Sequence, residues 1–233
     1  FVSNDGTMLG SGDTHGEVKV WRIDSGACLR SISAHEGYVV SAVRFSNNGS
    51  RVLTASHDTT CREFGLRNAR VLKEFRGHHS FVNDCRYVLA DEAGDPLLRV
   101  VTCSADGTAR VWDGNTAEQL FSMKPTSMGR NSISQPGESI VHKAVAMDGE
   151  SPNLHTIVPM HTPPRSMIIV PRGKAAFHVS SKGMVLHTFQ LERENSSEAV
   201  FVTATVSPSN RWLYAVSDDG TCHVFDVRTG RFE

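Results

Sequence analysis

Apolar and polar residues alternate along this chain in short runs of about five or six positions, each run ended by Gly, Asp, Asn or Ser. Val18-Lys19-Val20-Trp21, Val52-Leu53-Thr54-Ala55, Val100-Val101-Thr102-Cys103 and Trp212-Leu213-Tyr214-Ala215-Val216 are examples. A period of two, rich in Val, Ile, Phe and Thr, predicts β-strands; the turn residues between them predict antiparallel hairpins.

The runs also repeat as a set. The clearest unit covers 77–121: Gly77-His78, a strand from Phe81 to Tyr87, a second from Arg99 to Ser104, a turn at Asp106-Gly107, a third ending in Val111-Trp112-Asp113, and a last strand Gln119-Leu120-Phe121. The same order runs from Ala34-His35 through the turn Asp58-Thr59 and Phe64 to Phe75. A copy without its beginning occupies 1–33, and one without its end occupies 191–233. In these four copies the turn residue His15, Asp58, Asp106 or Asp219 stands six positions ahead of the aromatic Trp21, Phe64, Trp112 or Phe225.

A repeat of this length with four strands per unit is the pattern of propeller blades. The expected fold is all-β, a WD40-type β-propeller with about five blades represented: 1–33 partial, 34–76, 77–121, 122–190 and 191–233 partial. The fourth blade is degraded. Its strands are expected at 140–147, 167–170, 175–179 and 185–189, separated by two long loops, 122–139 and 148–165, rich in Ser, Pro, Gly and Met. Such loops either reach a partner or move freely. Five incomplete blades leave open strand edges, so flanking sequence is expected to complete the ring.

Charge narrows the function. With 24 Lys and Arg against 25 Asp and Glu, the net charge is -1, so no sequence-wide field draws in nucleic acid or anionic lipid. No apolar run approaches the ~18 residues of a membrane helix. The odd set Cys28, Cys61, Cys85, Cys103 and Cys222 has no CxxC pair; it reads as reduced core cysteines of an intracellular protein. Eleven histidines match no compact zinc spacing, and neither a phosphate loop nor a nucleophile elbow occurs. No cofactor, metal or small-molecule substrate is expected.

In blades of this kind a histidine, a second-strand hydroxyl, the turn aspartate and the third-strand tryptophan form a hydrogen-bonded network. His78, Thr102 or Ser104, Asp106 and Trp112 complete it in the third blade. His35 and Asp58 remain in the second, where Phe64 has no donor, and the fifth, with Phe225, must rely on packing. His15 stands in the aspartate's place in the first, with Asp13 nearby. A catalytic use of Ser, His and Asp needs an exposed nucleophile; these positions lie inside a blade. A candidate binding surface comes from aromatics that precede the first-strand valine: Tyr38, Phe81 and Phe201, ringing the mouth of the central opening, with His79, Glu36 and Asn83 as a polar rim.

The stretch Leu72-Lys73-Glu74-Phe75-Arg76-Gly77-His78-His79-Ser80-Phe81-Val82-Asn83 is more particular. With Val18-Lys19-Val20-Trp21-Arg22-Ile23, Phe64-Gly65-Leu66-Arg67 and Trp212-Leu213-Tyr214, it resembles the suppressor-of-mec-and-unc family, the Smu-type spliceosomal WD40 proteins. That resemblance implies a seven-bladed ring, a nuclear location and a non-catalytic role as a pre-mRNA splicing scaffold with a RED-type protein partner. The helical region through which the family recruits that partner is not within these residues, and the enlarged loops depart from the family pattern. A ubiquitin-ligase substrate receptor or a histone-tail reader is the alternative on the same fold.

Overall fold

A computed structural model describes residues 1–92, 95–124, 132–134, 153–160, 165–191 and 199–233. Among the described residues there is no helix, and therefore none long and apolar enough to cross a membrane. The described strands form five successive antiparallel sheets.

The first blade holds β1 (Met8–Gly12), β2 (Glu17–Arg22) and β3 (Cys28–Ser33); Val2 bridges to Leu9 where an inner strand would run. The second holds β4 (Val40–Phe45), β5 (Arg51–Ser56), β6 (Cys61–Gly65) and β7 (Arg70–Phe75). The third holds β8 (Val82–Glu92), β9 (Asp95–Ser104), β10 (Ala109–Asp113) and β11 (Gln119–Lys124), with β12 (Ser132–Ser134) added at its outer edge. The fourth holds β13 (Leu154–Pro159), β14 (Ser166–Pro171), β15 (Ala175–Ser180) and β16 (Val185–Gln190). The fifth holds β17 (Phe201–Val206), β18 (Trp212–Ser217) and β19 (Cys222–Asp226), and Phe232 bridges back to Phe225.

The core lies between blades. One cluster joins the first and second blades through Val18, Val20, Val43 and Phe64, and the next joins the second and third through Leu53, Phe75, Val100 and Trp112. Met123, Leu154, Ile157 and Phe177 join the third to the fourth, and Phe189, Phe201, Leu213 and Phe225 join the fourth to the fifth. Alternation gives each sheet two apolar faces, so no blade buries its surface alone.

Three parts of the sequence reading are corrected here: the inner strand of the fourth blade, the start of the loop 122–139, and the core placing of Cys28 and Cys222. The inner strand of the fourth blade is Leu154–Pro159, within what the sequence reads as the loop 148–165; Leu154 and Ile157 are fully buried. The expected strand at 140–147 lies outside the described residues. The loop 122–139 begins later than expected, because β11 continues through Ser122 and the buried Met123 to Lys124. Of the cysteines, Cys61, Cys85 and Cys103 are buried, whereas Cys28 and Cys222 are exposed. Cys28 opens the outermost strand of its blade, which has no further strand to cover it.

One local feature fixes the turns between second and third strands. The residue after His15, Asp58, Asp106 or Asp219 has positive φ: Gly16 at 90°, Thr59 at 72°, Gly107 at 78° and Gly220 at 84°. Thr59 bears a side chain in this disfavoured region. The turn is held by Asp58, whose Oδ1 accepts from the Thr60 backbone N–H at 2.9 Å and hydroxyl at 2.7 Å. Gly16 has no such latitude, since a Cβ there would stand 1.8 Å from the His35 carbonyl oxygen.

Candidate functional site

The loop from outer strand to next inner strand and the turn between second and third strands meet on one side of the blades. In the third blade this brings His78 against Asp106, Nδ1 to Oδ2 at 2.9 Å, and against Thr102, Nε2 to Oγ1 at 2.7 Å. The Trp112 indole donates to the same Thr102 oxygen at 2.9 Å. A single proton arrangement serves every group: Nδ1–H to the carboxylate, Thr102 O–H to Nε2, and the indole N–H to a Thr102 lone pair. Ser104 stands outside this set; its hydroxyl donates to the Ser80 carbonyl at 3.1 Å and accepts from the Asp106 N–H at 3.1 Å. Thr102 and Ser104 are both fully buried, so neither presents a nucleophile to solvent.

The second blade carries a three-member version that the sequence reading left incomplete. His35 bonds Asp58 at 2.8 Å and Thr54 at 2.7 Å, and Phe64 fills the tryptophan's place without a donor. The missing member, Thr54, stands four residues before the turn aspartate, as Thr102 does, and that spacing was the available signal. The first blade has no such network: His15 is exposed, Asp13 Oδ1 accepts from the N–H groups of His15 and Glu17, and Trp21 donates to Ser11 at 2.9 Å. In the fifth, Ser217 bonds Asp219 at 2.6 Å and His223 at 3.1 Å.

Burial governs how these groups titrate. It disfavours charge on His78 and outweighs the raising influence of Asp106, so the imidazole stays below its usual range. For Asp106, burial pushes upward, but hydrogen bonds from His78 and Thr108 prevail and hold the carboxyl well below the carboxylate range. Desolvation, helped by the charge of His187, brings His178 from 6.5 down to about 4. A histidine with a lowered folded pKa binds its proton more readily in the unfolded chain. Its contribution to stability is complete above about pH 6.5 and is lost as pH falls toward about 4. We expect the unfolding free energy to decline across that window in urea titrations, and His178→Leu to flatten the decline. A pH-independent free energy between those limits would contradict the assignment.

Inner strands are tied to one another by polar side chains that sequence reasoning missed. The buried Asp84 accepts from Arg44 at 2.6 Å, from Arg86 at 3.3 Å, and from the Ile157 N–H at 3.1 Å, linking β4, β8 and β13. Arg44 and Arg86 also lie over the Phe1 ring, at 4.7 and 5.5 Å. Glu63, buried on β6, takes Lys73 at 2.8 Å, Arg51 at 3.2 Å and the Tyr87 hydroxyl at 2.8 Å.

The proposed rim divides. Tyr38 and Phe81 are exposed, at 53 % and 49 %, and Phe81 stacks on His57 with ring centres 4.3 Å apart. Phe201 is fully buried, and here the sequence reading is corrected. The reason is register: a β-bulge follows Val40, Val82, Leu154 and Phe201, and the first, second and fourth of these pair with Ser56, Ser104 and Ser217. Phe201 therefore occupies the buried place of Val40 and Val82, packing edge-on against Phe225 at 6.2 Å. Asn83 is also corrected, because its amide donates to Asn153 at 2.6 Å and to the Leu154 carbonyl at 2.7 Å, joining the third blade to the fourth. His79 and Glu36 are exposed. The backbone N–H of His79 donates to Asp106 at 3.1 Å, and Glu36 accepts from Ser33 at 3.4 Å. Among the described residues no group of His, Cys, Asp and Glu could hold a metal ion.

Successive antiparallel sheets packed face to face, the second and third locked by histidine–aspartate–threonine networks at their turns, define a β-propeller of repeated blades. The family description "WD domain, G-beta repeat" matches residues 26–64, 69–113 and 186–226, and the chain belongs to that WD40 family. Each match starts at or just before the outer strand of one blade and ends in the third strand of the next, so the sequence repeat is offset from the structural one.

The WD40 repeat-containing protein smu1 of Dictyostelium discoideum is 28% identical over 158 residues, covering 68% of this chain and 24% of that protein. A guanine nucleotide-binding protein subunit beta from Oryza sativa subsp. indica is 25% identical over 229 residues, covering 94% and 52%. The pre-rRNA-processing protein crb3/ipi3 of Schizosaccharomyces pombe is 26% identical over 154 residues, covering 59% and 33%. The chain thus spans about a quarter of the first relative's length and about half of the second's. WD40 proteins act as protein-interaction scaffolds, and the family is generally non-catalytic.

Proposed function

We propose that this chain is part of a non-catalytic, nuclear scaffold that bridges proteins of the pre-mRNA splicing machinery, as one arc of a seven-bladed ring. The observation that carries the scaffold reading is the division of labour on the turn side of the second and third blades. His35, His78, Asp58 and Asp106 are committed to internal hydrogen bonds, while Tyr38 and the Phe81–His57 stack stand half-exposed above them. Rings in that setting offer a large contact area at small entropic cost, which suits a protein partner. The splicing reading rests on the likeness of residues 72–83 to Smu-type proteins and on the similarity to smu1. The role of His78, Thr102, Asp106, Trp112, His35 and Asp58 is structural in this reading.

Affinity purification of the intact protein with mass spectrometry tests it. Spliceosomal proteins, a RED-type protein among them, are the expected companions. A cullin adaptor, histone peptides or G-protein subunits in their place would overturn the splicing role.

A further inference from the structure

On the side of the blades away from the histidine turns, a cleft of about 470 Å³ opens between the first and second blades. Its floor is apolar: Val20 is fully buried, Met8 and Leu66 are half-buried against the core shared by these two blades, and Leu29 is half-buried beside them. Its rim carries Arg22, Arg30 and Arg67, all exposed. Arg30 is fastened across the cleft, its guanidinium donating to the carbonyls of Leu29 at 2.6 Å, Leu66 at 2.7 Å and Arg67 at 3.4 Å.

None of these three arginines is in an ion pair with a carboxylate among the described residues, whereas Arg44, Arg51, Arg62, Arg76, Arg86 and Arg99 all are. In a chain with net charge -1, three uncompensated guanidinium groups around an apolar floor make a local positive field with a built-in preference. Planar guanidinium forks pair with carboxylates in two-point fashion, and half-buried Met and Leu side chains accept apolar ones. Among the described residues no aromatic ring lines the cleft, so bases of single-stranded nucleic acid would find nothing there to stack on.

We propose that this cleft binds an acidic, apolar-studded peptide segment of a protein partner. Carboxylates engage Arg22, Arg30 and Arg67 while a Leu or Phe side chain covers Leu29 and Leu66. The contact is separate from the Tyr38 and Phe81 surface, so the scaffold holds two partners, or two segments of one, on opposite faces.

Fluorescence anisotropy on the intact protein tests this. The probe is a short labelled peptide in which Asp and Glu alternate with Leu and Phe; a Lys and Leu peptide and a labelled single-stranded RNA of equal length are the controls. The acidic peptide is expected to bind best and to weaken with added salt. Arg22→Glu with Arg67→Glu should reduce its affinity about tenfold or more, and Tyr38→Ala with Phe81→Ala should leave it unchanged. Circular dichroism melting checks that the reversed variant is folded; should it fail to fold, Arg22→Gln with Arg67→Gln is expected to give a loss of about threefold. No binding of the acidic peptide, equal binding by the charge variants, or tighter binding of the RNA would each overturn the proposal.

Discussion

Asp84→Ala is expected to lower the unfolding free energy by about 3–5 kcal/mol. Asp84 is 3 % exposed, and its carboxylate neutralises two guanidinium groups, Arg44 at 2.6 Å and Arg86 at 3.3 Å, while it accepts the Ile157 N–H. Removing it strands two poorly hydrated positive charges side by side and leaves a buried backbone donor without its acceptor. Three inner strands are loosened by that one change. Urea denaturation of the variant beside Arg44→Ala and the double variant measures it. The double variant should be less damaged than the sum of the two single ones, because the stranded charge is then partly removed. A loss below about 1 kcal/mol for Asp84→Ala would mean the cluster carries little weight.

Trp112→Ala follows, at about 3–5 kcal/mol. The indole is 2 % exposed, packs edge-on against Phe75 at 5.8 Å and shares Thr102 with His78, so its loss opens a cavity between the second and third blades and removes a donor. Trp112→Phe should cost far less, about 1–2 kcal/mol. The second blade already works this way, with Phe64 buried beside a His35–Thr54 bond of 2.7 Å. Equal losses for the Ala and Phe variants would show that the hydrogen bond, rather than the volume, dominates that site.

The blades were legible because their punctuation is local. A turn residue followed six positions later by an aromatic is visible in one pass along the chain, and it placed strands in the first, second, third and fifth sheets. Three other features were hidden for physical reasons. The strand Leu154–Pro159 ends in a proline and is followed closely by Pro163 and Pro164, so its composition resembles a loop; its partner β14 supplies the pairing that sequence cannot show. A β-bulge inserts one residue without any residue type that announces it, and counting from the nearest valine therefore put Phe201 on the surface instead of in the core. The Arg44–Asp84 bond joins residues 40 positions apart, and Asp84 reaches 73 positions forward to Ile157. Each reads in isolation as an ordinary outward polar position of a strand.

The same distinction separates what holds the blades together from what remains to meet a partner. His35 and His78 are occupied on both ring nitrogens, whereas the Tyr38 and Phe81 rings are half-exposed. The most direct test compares partner recovery and melting temperature for the wild-type protein and for Tyr38→Ala with Phe81→Ala. Loss of co-purifying proteins with an unchanged melting temperature is the expected result. Recovery of the same partners at wild-type levels would contradict the claim that this surface is where the scaffold binds.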